Sequence, residues 1–273
     1  MMPTCNKFKC FLQLYIWVLL IAICTPSSAQ ANSSYGLSEE FPILINSHEV
    51  EFPPLFIRSE GQLTGVIPDI IAQMPNYKFV KYVAIPRKRV DSLFTQGQLH
   101  VSILHPAWTK VGETLHFVPL QINQTNRIYS RYKTQASDIS ELGNISLCTH
   151  SGYIYRGLNG RWEPQSIQRI DSQSESTMLQ MLNLGRCDML VASELVMDYL
   201  IFKQGATDTV FKTDIISTQL ALFLAVDKRQ TAFAKELEET INRLHAKNCL
   251  EALIEKYTQP TASLDRTKCD ALM

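Results

Sequence analysis

The sequence predicts an α/β protein made of two βα series in tandem, followed by a returning strand and a long helical tract. Three observations carry that reading. Between Phe41 and Leu104 the segments alternate strand, helix, strand, helix, strand, an order that argues a parallel sheet. A second series of the same kind runs from Ile145 to Gln204. Leu220 to Val226, LALFLAV, is one more apolar strand, ahead of a helical tract from Thr231 to Tyr257 broken near Asn248.

Each element has a local cause. Phe41 to Ser47 (FPILINS) is a short apolar run that reads as a buried strand, and Glu51 to Ile57 stays extended because each X-Pro step disfavours helix. Ser59 to Gln62 is a turn, and Pro68 suits the start of a helix over Asp69 to Met74, where its missing N–H costs nothing. Tyr77 to Ile85 is rich in aromatic and β-branched residues and reads as the second strand. Pro86 then opens a helix with Val90, Leu93 and Phe94 on one face and Gly97 at its end. Leu99 to Leu104 is the third strand. The stretch around Trp108 is less regular, and the chain becomes extended again from Asn126 to Tyr132. The second series comprises strand 145–149, turn Ser151-Gly152, strand 166–170, helix 175–184, strand 188–192 and helix 194–204. Met178, Met181 and Leu182 at helical spacing read as core, and no cofactor is expected.

The amino-terminal residues read as an export signal. Lys7 and Lys9 precede an apolar run from Phe11 to Cys24, and small residues follow up to Ala31, the order of a Sec signal peptide over 1–31. The run is about 14 residues, short of the ~20 that span a bilayer. Removing the two lysines from the 26 basic residues leaves 24 against 26 acidic ones. That balance gives no electrostatic case for nucleic acid or an anionic membrane surface. Cys148, Cys187, Cys249 and Cys269 remain in a compartment that permits disulfides. Four cysteines allow three pairings and the sequence does not choose among them; Cys249 with Cys269, flanking the last helical run, is favoured, with Cys148 and Cys187 as the other pair. None of the four sits in a C-x-x-C and no histidine stands at ligand spacing, so a metal site is not expected.

Several short segments in order resemble the bacterial extracellular solute-binding proteins of family 3. Phe52-Pro53-Pro54-Leu55, then Gly61-Gln62-Leu63-Thr64-Gly65 and Asp69, are similar to that family's Y-P-P-F and G-x-L-x-G-x-x-x-D. Leu93 to Gln98, Cys148 to Tyr155, Met178 to Asp188 and Leu220 to Lys228 are similar to its later motifs, so the likeness runs through nearly the whole mature chain. The resemblance implies a type II periplasmic binding fold: two lobes, each with a mostly parallel sheet, joined by two hinge crossings. It divides the chain into the leader 1–31, the first part of lobe 1 at 32–130, lobe 2 at 131–220, and a return to lobe 1 with carboxyl-terminal helices at 221–273. It also implies a monomer that catches a small polar solute and presents it to an ABC transporter permease or a sensor.

Carried over position by position, the family's amino-acid clamp is incomplete. The arginine that grips a ligand carboxylate falls on Gly112, the helix-entry hydroxyls after Gly152 are Tyr153 and Ile154, and the acid for the α-amino group falls on Ser193, beside Glu194. Arg89 at the helix start after Pro86 is a candidate replacement, able to offer a bidentate guanidinium. Phe52 is expected to present a stacking face. His105 and Trp108 follow the third strand, where the family places ligand contacts, and Glu49, Gly152 and Tyr153 complete the candidate set. An alternative on the same fold is a dehydratase of small carboxylic acids, for which Glu49, His105 or Glu194 would supply the acid or base; an orphan binding domain is another. A lytic transglycosylase would need a second domain after Tyr257.

Overall fold

In the computed structural model, residues 35–36, 38–48, 52–153, 155–158, 167–258 and 269 are described. The expected leader at 1–31, Glu49, Ile154 and Ser166 lie outside them. Residues Ser34–Met273 form one compact unit.

The first series lays down β1 (Ile43–Asn46), β4 (Val80–Val83) and β5 (Val101–Ile103) as parallel neighbours, β1 in the middle. A hairpin of β2 (Ile57–Ser59) and β3 (Gln62–Thr64) leads into α1 (Val66–Ala72), and α2 (Arg87–Gln96) joins β4 to β5. The second series gives β7 (Ile145–His150), flanked in parallel by β8 (Ile167–Ser172) and β9 (Met189–Ser193), with α3 (Glu175–Asn183) between β8 and β9 and α4 (Glu194–Gln204) after β9. The two halves repeat one plan: three parallel strands, then an antiparallel neighbour.

Those antiparallel neighbours are β6 (Leu115–Ser130) and β10 (Phe211–Asp227), which pair with each other along most of their length. The sheet order is β4-β1-β5-β10-β6-β9-β7-β8, so the two long strands belong to both halves. β5 pairs with the carboxyl end of β10, Val101 opposite Val226, while β9 pairs with the carboxyl end of β6, Ser193 opposite Asn126. Register shifts in β10 between Lys212 and Ile216, Ile216 and Thr218, and Ala221 and Phe223 mark bulges along the crossing, the usual device for bending a strand.

The halves have separate cores. Ile43, Ile45, Val101 and Ile103 pack with Ile67 and Ile70 of α1 and with Phe233, Leu237 and Ile241 of α5 (Thr231–Ala246). Cys148, Leu190 and Ala192 pack with Met178, Leu179 and Leu182 of α3 and Met197 of α4. The last helix, α6 (Cys249–Thr258), packs against both α1 and α4. Disulfides join Cys148 to Cys187, tying β7 to the turn before β9, and Cys249 to Cys269.

Two elements differ from the sequence expectation. α1 begins at Val66 instead of Asp69 because Val66 and Ile67 donate their N–H groups to the carbonyls of Pro54 and Leu55, so the first turn is satisfied from outside the helix. The extended stretch expected from Asn126 begins at Leu115, and the one expected from Leu220 begins at Phe211. The missed part of β6 alternates over Val118 to Asn123 but carries Pro119, which weakens a strand reading, and the missed part of β10 is mostly polar, with Thr213 and Ser217 at buried positions.

Asp69, which the motif comparison singles out, is structural here: Oδ2 accepts from the Tyr257 hydroxyl and from Lys256 Nζ, both at 2.9 Å, and so fastens α6 onto α1. Asp69→Ala is expected to lower stability by about 1 to 2 kcal/mol in urea unfolding, the scale for charged hydrogen bonds that are partly solvated. A loss below about 0.3 kcal/mol would show that α6 docks without this contact.

Candidate ligand-binding cleft

Strand direction determines where a site lies. β10 runs out of the second half and ends in the first, and β5 is antiparallel to it, so β1, β4 and β5 point their carboxyl ends toward the second half. By the same logic β9 opposes β6, so β7, β8 and β9 point back toward the first half. The carboxyl edges of the two parallel sets face each other across the crossing strands. In open α/β sheets that edge is where ligands bind.

The first-half edge is built from the ends of β1, β4 and β5. Asn46 is fully buried, and its Oδ1 accepts from the backbone N–H of His48 at 2.9 Å and of Ile85 at 3.1 Å, tying the end of β1 to the entry of α2. Its amide donates to Ser102 Oγ on β5 at 3.2 Å, so one side chain holds three strand ends in register. Arg58 of β2 donates to Ser47 Oγ at 2.6 Å. His48 adopts a left-handed backbone, φ 63°, and its ring lies edge-on to Phe52 at 5.8 Å between centroids. Burial, reinforced by the charge of Arg87, pushes the His48 imidazole down to about 4, so it is neutral near pH 7.

Around the end of β5, His105 Nδ1 accepts from Ala107 N–H at 3.1 Å and caps a short 3-10 turn, Pro106–Trp108. The Trp108 ring is 45% exposed, a large apolar surface left open beside the edge. Its carbonyl accepts from Arg87, which is also paired with Asp91 at 3.0 Å. Arg89 is exposed and has no side-chain partner among the described residues.

The second-half edge carries His150 and Tyr153, whose rings stack at 4.1 Å between centroids. Gly152, φ 78°, makes the turn between them and has open space where a Cβ would stand. Tyr153 is 52% exposed, the counterpart of Trp108 on the opposite half. Arg169 donates to the Tyr153 carbonyl at 3.1 Å and to Asp171 at 2.8 Å, and Thr149 donates to Asp171 at 2.6 Å; that hydroxyl bond, with the guanidinium, holds the Asp171 carboxyl below its usual range. At the head of α4 the Ser193 hydroxyl is buried without a hydrogen-bond partner among the described residues.

The structure therefore brings His105, Trp108 and Arg89 to one edge and Gly152, Tyr153 and Ser193 to the other. Phe52 is half-buried, backed by apolar residues of both cores, with part of its ring at the edge of the first half. Glu194 is engaged elsewhere: Arg127 donates to it, and Lys212 stands 4.0 Å away, so it locks α4 to the crossing strands. Glu49 lies outside the described residues. His48 and the Asn46 clamp were missed by sequence reasoning; a histidine directly after a buried strand carries no motif. Gly112 has ordinary contacts, 3.7 Å and beyond, where a Cβ would stand. A shallow cavity of about 570 Å³ lined by Lys133, Thr134, Gln135, Val210, Phe211 and Lys212 lies at the far end of the crossing strands, away from both edges.

No protein-family model matches the sequence, and no curated protein does. Among solved structures the chain is similar to an ancestral cationic amino acid solute-binding protein, AncCDT-1, with a TM-score of 0.66 and 14% identity over 80% of this chain and 95% of that one. It is similar to a structure from work on glutathione import via GshT and the cystine ABC importer TcyBC of Streptococcus mutans (TM-score 0.64, 13% identity, 83% and 98% coverage). A histidine kinase sensor domain with similarity to periplasmic binding proteins also matches (TM-score 0.61, 15% identity, 80% and 96% coverage). The fold is that of the type II periplasmic binding proteins. Among the described residues no helix is long and apolar enough to cross a membrane.

The depressed His48 sets a pH dependence. The unfolded imidazole binds a proton near pH 6.5 and the folded one only near 4, so its contribution is complete above pH 6.5 and is lost as pH falls from 6.5 toward 4. His48→Phe is expected to flatten the stability profile in that window when measured by urea unfolding. An unchanged slope would place His48 in a solvated setting.

Proposed function

We propose that this chain is an exported solute-binding protein, acting as a monomer in the periplasm, that closes its two halves around a small organic solute and delivers it to a transporter permease or a sensor. The observation that carries the reading is the pair of opposed carboxyl edges, each presenting an exposed aromatic ring, Trp108 on one and Tyr153 on the other. Two bulged strands are the main links between the edges, so approach of the halves needs little more than bending at 216–223. The similar structures, an amino-acid binding protein, one from work on glutathione import and a sensor domain, support the same class of role.

The dehydratase alternative loses ground on specific contacts: His105 spends Nδ1 on a turn, and Glu194 is held in an ion pair with Arg127. Neither stands free as a general base.

The ligand differs from an ordinary α-amino acid in how it is held. With Gly112 in place of the carboxylate-gripping arginine and Ser193 in place of the acid, α-amino acids lack both charged partners, each contributing about 1.5 to 3 kcal/mol. A thermal-shift screen of small metabolites is expected to find a ligand, since saturation at 100 times the dissociation constant adds about 2.7 kcal/mol. In calorimetry the common amino acids are expected to bind at least one to two decades more weakly than that ligand, and Arg89→Ala to weaken the ligand itself. Gly112→Arg, at a position where a Cβ meets only ordinary contacts, is expected to raise α-amino acid affinity. Sub-micromolar binding of an α-amino acid that ignores Arg89→Ala would overturn this account of the clamp.

A further inference from the structure

We propose that His48 is a ligand-contacting residue of the cleft, donating from its imidazole Nε2–H to an anionic oxygen of the solute. The proposal rests on the solute-binding reading and adds the chemistry of one subsite.

Two buried histidines in the same half make the case by contrast. His100 is 2% exposed, and its Nδ1 accepts the Leu44 N–H at 3.0 Å, so its burial is explained by a bond that holds β1. His48 is only half-buried as a residue, yet its Nε2 is closed off from water and has no hydrogen-bond partner among the described residues. A buried polar atom left unpaired costs about 1 to 3 kcal/mol. The surroundings add to that cost, because a left-handed φ is unfavourable for any residue other than glycine. The fold nevertheless secures the arrangement: Asn46 Oδ1 holds the His48 N–H, and Arg58 donates to the His48 carbonyl at 3.3 Å. A side chain placed at the carboxyl edge by two clamps, with Nε2 enclosed and unpaired among the described residues, suits a partner that reaches it as the halves close.

The charges around it say which partner. Arg58 contacts the His48 backbone, and Arg87 bears on the ring. The first turn of α2, entered through Ile85 on the same Asn46 clamp, holds Arg87, Lys88 and Arg89 and no acid. Three cations at a helix amino terminus oppose the macrodipole, which favours anions there. The Arg89 guanidinium, without a side-chain partner among the described residues, and a neutral Nε2–H both suit an oxyanion, and both oppose a solute ammonium.

The test compares wild type with His48→Phe, which fills the same space between Phe52 and Phe56, and with His48→Gln, which keeps an N–H donor. In ligand-free protein His48→Phe is expected to raise Tm by about 2 to 4 °C, since an unpaired buried nitrogen is removed. Acetate, succinate, citrate and inorganic phosphate are then titrated against acetamide and succinamide. At least one oxyanion is expected to stabilise wild type, to lose at least tenfold in affinity with His48→Phe, and to keep most of it with His48→Gln. A fall in Tm for ligand-free His48→Phe, or equal oxyanion affinity in wild type and His48→Phe, overturns the proposal. If amino acids or peptides stabilise wild type and no oxyanion does, the subsite chemistry is wrong while the solute-binding reading stands. If no compound of either set does, the solute-binding reading itself falls.

Discussion

The pairing of β6 with β10 is the interaction on which the rest of the molecule depends. β10 is the antiparallel neighbour of the first parallel set through β5, β6 is that of the second through β9, and the two pair with each other through both halves. Because both run through both halves in opposite directions, each half meets the crossing with its strands pointing inward. The facing of the two carboxyl edges thus follows from hydrogen-bond register, without any appeal to loop conformation. At the centre of the crossing, Asn126 Nδ2 donates to Thr218 Oγ1 at 2.8 Å, a side-chain bond between the two strands beside the register shifts.

A second consequence concerns which polar groups remain unsatisfied. Several buried polar side chains are paired: Asn46 spans three strand ends, Thr213 donates to the Ile128 carbonyl at 2.9 Å, and Asp227 accepts from Arg229, whereas Tyr129, Arg131, Ser217 and Glu255 each bury a polar atom without a partner among the described residues. At the two facing edges, His48 Nε2 on one side and Ser193 Oγ on the other are buried without partners, and Trp108 and Tyr153 expose rings that a core would enclose. Each such group carries a cost that the surrounding scaffold bears.

Much of the scaffold was legible in the sequence because its signals are local. The parallel strands are short apolar runs between turns and helices, and Gly97 and Gly205 end α2 and α4 in the left-handed conformation that glycine accepts best. The crossing strands were only half legible: Val118, Leu120 and Ile122 alternate with Pro119, Gln121 and Asn123, but the proline weakens that strand signal, and in Phe211 to Gln219 the buried positions include the polar Thr213 and Ser217, so burial alternates where hydrophobicity does not. The site was legible in part. Trp108, Tyr153 and Arg89 stand out as residues at strand ends and helix starts, whereas the role of Glu194 depends on Arg127, 67 residues away in sequence. The isolation of His48 Nε2 depends on Asn46, Arg58 and Phe52 converging, which no spacing in the sequence announces.

The central claim is that one solute touches both carboxyl edges at once. Hydrogen exchange, read by mass spectrometry on ligand-free and ligand-saturated protein, tests it most directly. Binding between the edges predicts slowed exchange at residues 46–48 and 85–90 in the first half and at 150–153 and 193–197 in the second, together with the crossing at 216–223. Protection confined to one half, or centred on the cavity at Lys133 to Lys212, would contradict it.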